Sequence, residues 1–398
     1  MDWRSRLMHP QRHASTQFAS LATPTYRGST VVFPTQAEVR EGWRNEEGTY
    51  SYGIYGTPTA MELAARIADL EGARNTFLVP SGQAAIALIY LSFCASGSHV
   101  LLPGTAYGLN KELGAGLLQR LGVEVELYEP SLGADIAGKI RPETSLVWCE
   151  SPGSVTMQVQ DVPAIVAAAH AAGVPVALDN TYASGVLFDA FKHGVDVSMQ
   201  ALTKYIGGHS DVLLGSVSCG NEAAYERVGD THRALGQSVS PDDCSLVLRG
   251  LQTLGVRLDA MEASGLKIAH WLAEQPEVMR VLHPALPSCE GHAFWARDFS
   301  GSASVFSLVF SADLGMEQVN RFVDALQLFH IGWSWGGTAS LVMAYPSLRL
   351  PRYGNGHIVR LHVGLEATDD LIDDLDQALA MLRGGSPPSR RRAKSESS

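Results

Sequence analysis

From about residue 60 the chain alternates short, continuously apolar runs with stretches whose apolar residues recur at helical spacing. The runs are Thr76–Val79, His99–Leu102, Val123–Leu127, Ser145–Cys149 and Val174–Leu178. Met61–Leu70, Gly82–Cys94, Asn110–Leu121 and Val162–Ala171 read as helices. Alternating strands and helices predict a mostly parallel sheet covered on both faces. The unbroken apolar character of the strands agrees, because parallel strands are buried on both sides. A further apolar run, Val212–Cys219, is followed by helical patterns over Ala223–Leu235 and Asp242–Glu274. From about residue 276 the order reads strand, strand, helix, strand, helix, which suggests a smaller α+β unit.

The ends differ. The first 60 residues lack periodicity and are rich in Thr, Tyr, Gly and Pro, as in a segment reaching over another domain or subunit. The last stretch, Gly384–Ser398, is rich in Gly, Ser and Pro and carries four basic residues against one acid, so it reads as a disordered tail. The expected organisation is an arm (1–58) contacting a neighbouring subunit, a large α/β domain (59–240), an α+β domain (241–383) and the tail (384–398).

Composition narrows the function. A chain of 398 residues is long enough to bury a large core without disulfides or metals. Its 30 basic and 41 acidic residues give a net charge of −11, which argues against nucleic acid or an anionic membrane surface as partner. Five scattered cysteines with no C-x-x-C pair argue against a disulfide framework or a zinc ribbon and for a reducing compartment. The N-terminal sequence has no apolar core of a secretory signal. The longest near-apolar stretch, Ala84–Ala95, is shorter than the roughly 20 residues a membrane span needs. A soluble, cytoplasmic protein with no metal site is expected.

Three motifs carry candidate chemistry. Pro80-Ser81-Gly82-Gln83-Ala84 joins a strand to a helix, and a Ser-Gly helix start offers a hydroxyl and free backbone N–H groups to a phosphate; it also reads as a plain helix cap. Asp179, in Ala177–Tyr182, closes a buried strand, where an acid is costly unless paired. It suits a protonated ring nitrogen, or a structural ion pair. Lys204, in Ala201–Asp211, is flanked by Thr203, Gly207-Gly208 and His209 between apolar runs. A buried lysine there has a lowered pKa and can form a Schiff base, whereas an exposed turn lysine would do neither. Neither a G-x-G-x-x-G nor a P-loop pattern occurs. Phosphate cradle, ring-nitrogen acid and Schiff-base lysine, on successive elements of one α/β domain, are the three parts that pyridoxal 5'-phosphate (PLP) needs.

With those residues in view, the chain resembles the Cys/Met-metabolism PLP enzymes, the transsulfuration family of fold type I. The signature is D-N-T-[YW]-A followed by T-K-Y-x-x-G-H-S-D, here Asp179–Ala183 and Thr203–Asp211. Within the family it is most similar to the bacterial cystathionine β-lyases, through Glu150–Met157, Asp161–Val166, Gly250–Leu258, His283–Pro287, Ser334–Gly337 and Val359–Glu366. The resemblance implies a seven-stranded, mostly parallel sheet and assigns roles. Lys204 would carry PLP and move the protons, Asp179 would pair with the ring nitrogen, and Tyr107 would stack on the ring. Ser81, Gly82, Gln83 and Thr203 would bind the phosphate. Tyr52 would reach the phosphate and substrate of the neighbouring subunit's site, making a dimer the minimum unit and a tetramer the usual one. Ser334, Trp335 and Arg360 would hold the α-carboxylate of an amino-acid substrate. The implied reaction is β-elimination from cystathionine or a related cysteine conjugate to a thiol, pyruvate and ammonia. The alternatives are γ-elimination or γ-replacement on the same scaffold, and a non-catalytic homologue.

Two positions depart from the family pattern. Ile54 stands where the family usually has an arginine that binds the neighbouring phosphate. Arg233 stands where the lyases have a tyrosine. Near the active site, Arg233 could replace the missing charge or read a different substrate.

Overall fold

In the computed structural model, residues 2–8, 20–44, 49–348, 351 and 354–382 are described. The expected tail and parts of the expected arm lie outside the described residues. The chain passes through α1 (Trp3–Met8), α2 (Pro58–Glu71), β1 (Asn75–Val79), α3 (Gly82–Phe93), β2 (His99–Pro103) and α4 (Gly108–Leu113). It continues through β3 (Glu124–Tyr128), β4 (Thr144–Glu150), α5 (Val162–Ala171), β5 (Val176–Asp179), β6 (Val197–Ala201) and β7 (Gly215–Cys219).

The helices start where local chemistry permits. Thr57 caps α2 by accepting the Ala60 N–H, and Pro58 fills the first turn, where its missing N–H costs nothing. Ser81 caps α3 and Asp161 caps α5 in the same manner.

The seven strands lie in the order β1-β7-β6-β5-β4-β2-β3. Only β7 runs against the other six. Successive residues feed two separate cores. Along β4, Val147 packs with Leu63, Ile67 and Ile165, whereas Trp148 packs with Ile86, Ile89 and Val100. That two-sided burial accounts for the unbroken apolar runs, and each fully buried Leu, Ile or Val contributes about 1.5–3 kcal/mol.

The second half comprises α6 (Glu222–Leu235), α7 (Pro241–Gln252), α8 (Leu254–Ala273), β8 (Val278–Leu282), α9 (His292–Asp298), β9 (Val305–Phe310), α10 (Met316–Ala325), β10 (His330–Ile331), β11 (Leu341–Tyr345), β12 (His357–His362) and α11 (Thr368–Ala380). Its five strands are ordered β10-β11-β12-β9-β8, antiparallel except at β10 and β11. A third core joins Ile268, Leu272, Phe306, Phe310, Phe322, Leu361 and Leu375.

Three features differ from the hydrophobic pattern. Strand β6 is not an apolar run, because Ser198 and Gln200 alternate with Val197 and Met199. Those polar residues are buried: the Ser198 hydroxyl donates to the Glu71 carboxyl at 2.6 Å, and burial raises the pKa of that acid. The long pattern over Asp242–Glu274 breaks at Thr253 into α7 and α8. The pattern over Asn110–Leu121 shortens to α4 and a single wide turn, Gly114–Leu118, containing Gly114 and Gly116.

Candidate active site

Because β1, β2, β4, β5 and β6 share a direction, their carboxyl ends meet along one edge of the sheet, the usual ligand edge of an open α/β fold. Pro80–Gln83 follows β1, Gly104–Tyr107 follows β2, Glu150 ends β4, Asp179 ends β5, and Thr203–Lys204 follows β6. The sequence therefore places residues up to 124 positions apart around one cleft.

Helix α3 begins hard against β6. A Cβ on Gly82 would stand 2.8 Å from the Ala201 Cβ, so only glycine lets the helix start so close to the strand leading to Lys204. The Ser81 hydroxyl accepts the Ala84 N–H at 3.1 Å, leaving the first N–H groups of the helix, those of Gly82 and Gln83, without intrahelical partners. The Gln83 side chain donates to the Leu109 carbonyl at 3.4 Å, while its Oε1 is buried with no partner. The Thr203 hydroxyl lies between the N–H and the carbonyl of Leu214, at 3.1 and 3.3 Å.

Lys204 is half-buried. Its Nζ donates to Ser334 Oγ at 2.9 Å and lies 5.4 Å from the centre of the Trp335 ring. Burial, and then the charge of Arg360, lower its pKa to about 8, against the pull of Asp179. Enclosed by Ser334 and Trp335, the amine is not that of a solvated turn lysine.

Asp179 and Glu150 are paired residues of adjacent parallel strands. The Asp179 carboxyl accepts the Thr181 N–H at 3.0 Å. Burial raises its pKa, opposed by the Thr181 hydrogen bonds and by the charge of Lys204. Glu150 is buried, accepts the Tyr107 N–H at 2.8 Å, and is held well above the usual carboxylate range by burial and by the Asp179 charge. Two such acids cannot both ionise cheaply; Asp179 faces the charge of Lys204, which favours its ionised form, whereas Glu150 is raised further by the Asp179 charge. Tyr107 stands over them with its pKa raised by burial and by both acids.

Arg360, on β12, is 7 % exposed and donates to the Trp333 and Ser334 carbonyls. It has no carboxylate partner among the described residues, and burial lowers its pKa. A buried, unpaired guanidinium beside the amine offers a place for an anionic group. The Trp335 ring packs on Tyr205, the residue after Lys204, at 5.3 Å.

The structure thus gathers Lys204, Asp179, Tyr107, Ser334, Trp335 and Arg360, with Ser81, Gly82, Gln83 and Thr203 at the α3 end. Amine, carboxylate, hydroxyls and open N–H groups match the set of groups that PLP requires. Tyr52 is not in this cluster. It is exposed, pairs with Thr30, and precedes a turn lining a cavity of about 380 Å³ with Trp43, Phe77, Tyr225 and His232. Ile54 belongs to that turn, and a Cβ on Gly236 at the end of α6 would stand 3.6 Å from it. Arg233 is exposed in the last turn of the same helix, so the two departures from the family pattern are neighbours.

Sequence reasoning gave no role to Glu150, Tyr182 or Tyr205. The argument that singled out Asp179, an acid closing a buried strand, applies equally to Glu150.

The family model of the Cys/Met metabolism PLP-dependent enzymes matches residues 4–380. The chain is 41% identical over 389 residues to cystathionine beta-lyase MetC of Escherichia coli, covering 95% of this chain and 98% of that one. It is 39% identical over 388 residues to the cystathionine beta-lyase of Salmonella typhimurium, covering 95% and 98%. Among solved structures, a cystathionine gamma synthase from Xanthomonas oryzae pv. oryzae superposes with a TM-score of 0.89 at 27% identity, covering 96% of this chain and 99% of the other.

Proposed function

Because this chain belongs to the Cys/Met metabolism PLP-dependent enzyme family, we propose that it is a carbon–sulfur β-lyase, cleaving L-cystathionine or a related cysteine S-conjugate to a thiol, pyruvate and ammonia. The observation that carries the reading is the enclosed Lys204 amine, hydrogen-bonded to Ser334 at 2.9 Å and 5.4 Å from the Trp335 ring centre, within the field of Asp179 and Arg360. In this reading the products are homocysteine and pyruvate when the substrate is cystathionine, and the enzyme works in the cytoplasm.

Bound PLP supplies the electron sink for charge developing at the substrate's α-carbon. The chain supplies the rest. Asp179 would pair with the ring nitrogen and favour its protonated form, and Tyr107 would help hold the ring. Ser81, Gly82, Gln83 and Thr203 hold the phosphate. Arg360 orients the substrate carboxylate, with Ser334 and Trp335 closing that side. The neutral Lys204 Nζ takes the α-proton and, once protonated, gives a proton to the departing sulfur. Tyr52 serves the neighbouring subunit's site, so the working unit is at least a dimer, and a tetramer is the family's usual assembly.

The test is product analysis with cystathionine, cystine and O-acyl homoserines. Pyruvate from cystathionine is expected. 2-Oxobutyrate or a substituted homoserine as main product overturns the β-lyase reading.

Arg360→Lys keeps the charge but loses the planar fork, and kcat/KM is expected to fall about 10–100-fold, mainly through KM. An unchanged KM would remove Arg360 from the carboxylate site.

Arg233 is assigned to the charge that Ile54 lacks. Arg233→Ala is expected to weaken PLP binding about tenfold, the worth of one charge-assisted contact. Unchanged PLP affinity and unchanged substrate preference would end that assignment.

A further inference from the structure

We propose that Glu150 is a positioning residue for this reaction: its buried carboxyl fixes the backbone of Tyr107, and so places the phenol beside Asp179. The inference rests on the PLP-lyase reading and adds to it a residue that touches neither substrate nor cofactor.

Glu150 is itself held in place. Its backbone N–H donates to Gln160 Oε1 at 2.9 Å, and Gln160 Nε2 donates to the Tyr128 hydroxyl at 2.9 Å. That hydroxyl in turn donates to the Trp148 carbonyl at 2.8 Å, back on β4. All four residues are buried. From this anchored position Glu150 Oε2 accepts the Tyr107 N–H at 2.8 Å.

The loop that follows Glu150 is fitted to the loop that carries Tyr107. The Ser154 N–H donates to the Thr105 carbonyl at 2.9 Å. A Cβ on Gly153 would lie 2.7 Å from the Thr105 side chain, so only glycine allows this approach. Val155 and Met157 have φ of 64° and 56°, the left-handed region that L residues rarely enter, least of all a β-branched one. Backbone strain of this kind persists only where the surroundings enforce it, and it gathers at functional sites. Here it lies within seven residues of Glu150, in a buried loop whose partner is the Tyr107 segment. Glu150 takes the Tyr107 N–H while Asp179 takes that of Thr181, so the anchoring carboxyl is distinct from the one that faces Lys204.

The experiment uses the PLP-loaded enzyme with Glu150→Leu, which fills the space without an acceptor, and Glu150→Gln, which keeps one. The Leu variant is expected to lose about 10–100-fold in kcat with KM little changed, as a misplaced group would. It is also expected to alter the visible circular dichroism of bound PLP, while the Gln variant recovers most of both. A Leu variant with wild-type kcat and dichroism overturns the proposal. So does a Gln variant as impaired as Leu, since that would point to charge and not to the accepted N–H. Should the Leu variant not fold, hydrogen exchange at the Tyr107 amide of the wild-type enzyme decides: strong protection is expected, and rapid exchange overturns the contact. The dichroism and exchange readouts do not depend on which amino acid is cleaved. Failure of wild type to yield pyruvate therefore strikes the substrate reading alone.

Discussion

Lys204→Ala is expected to lower kcat for cystathionine cleavage by about 10⁴-fold, the upper range for loss of a positioned acid–base group. It should also abolish borohydride-trapped PLP on the chain. The expectation follows from the surroundings of Nζ. Ser334 is its hydrogen-bond partner, Trp335 walls one side, and burial with the Arg360 charge brings its pKa to about 8. At pH 7 roughly 10% of such amines are neutral, against well under 0.1% for an ordinary lysine near 10.4. Only the neutral amine attacks a carbonyl, so PLP uptake by the apo-protein should rise about tenfold per pH unit up to about pH 8 and level off above it. Removing the Arg360 charge relieves the repulsion and should move this profile to higher pH; removing Asp179 should move it lower. Retained borohydride trapping in the Ala variant would show that another lysine holds the cofactor.

Asp179→Asn is expected to cost about 10²–10³-fold in kcat with PLP still bound, comparable to deleting one preorganised electrostatic partner. The amide is isosteric and can still accept the Thr181 N–H, so the fold should survive. What disappears is the carboxylate charge that faces Lys204 from the end of β5. A loss confined to KM, or none, would mean that the ring nitrogen does not depend on Asp179. Stopped-flow absorbance separates slow proton removal from weak binding.

Much of this site is legible in the sequence. Asp179 and Lys204 stand out because each places a charge at the end of an apolar run, where burial must be compensated. The parallel sheet was legible because two-sided burial leaves a strand apolar throughout. Strand β6 escaped for the opposite reason: Ser198 donates to a buried carboxyl 127 positions before it, shared with Ser218 on β7, and no local pattern reveals that partner. The break at Thr253 was hidden because α7 and α8 share one helical rhythm. Tyr52, Ile54 and Arg233 were legible only as positions in a family pattern. Their place beside the cavity of α2, β1 and α6 is a tertiary fact.

Two phenols set a wider condition. The Tyr182 hydroxyl accepts the Ala303 N–H at 3.1 Å, and the Tyr205 hydroxyl accepts the neighbouring Ser304 N–H at 3.0 Å. Both tyrosines lie on loops of the first sheet, and both N–H groups belong to the segment entering β9 of the second. Ser304 Oγ lies 3.3 Å from His362 Nδ1, and His362 Nε2 accepts the Gly336 N–H at 3.2 Å beside Trp335. Melting of either sheet would strand these buried partners, so the two halves share one unfolding transition. By mass action, a cofactor bound at Lys204 then protects amides in β9 and β12 as well as its own loops. A fragment cut between α7 and α8 should yield no half that holds its structure alone.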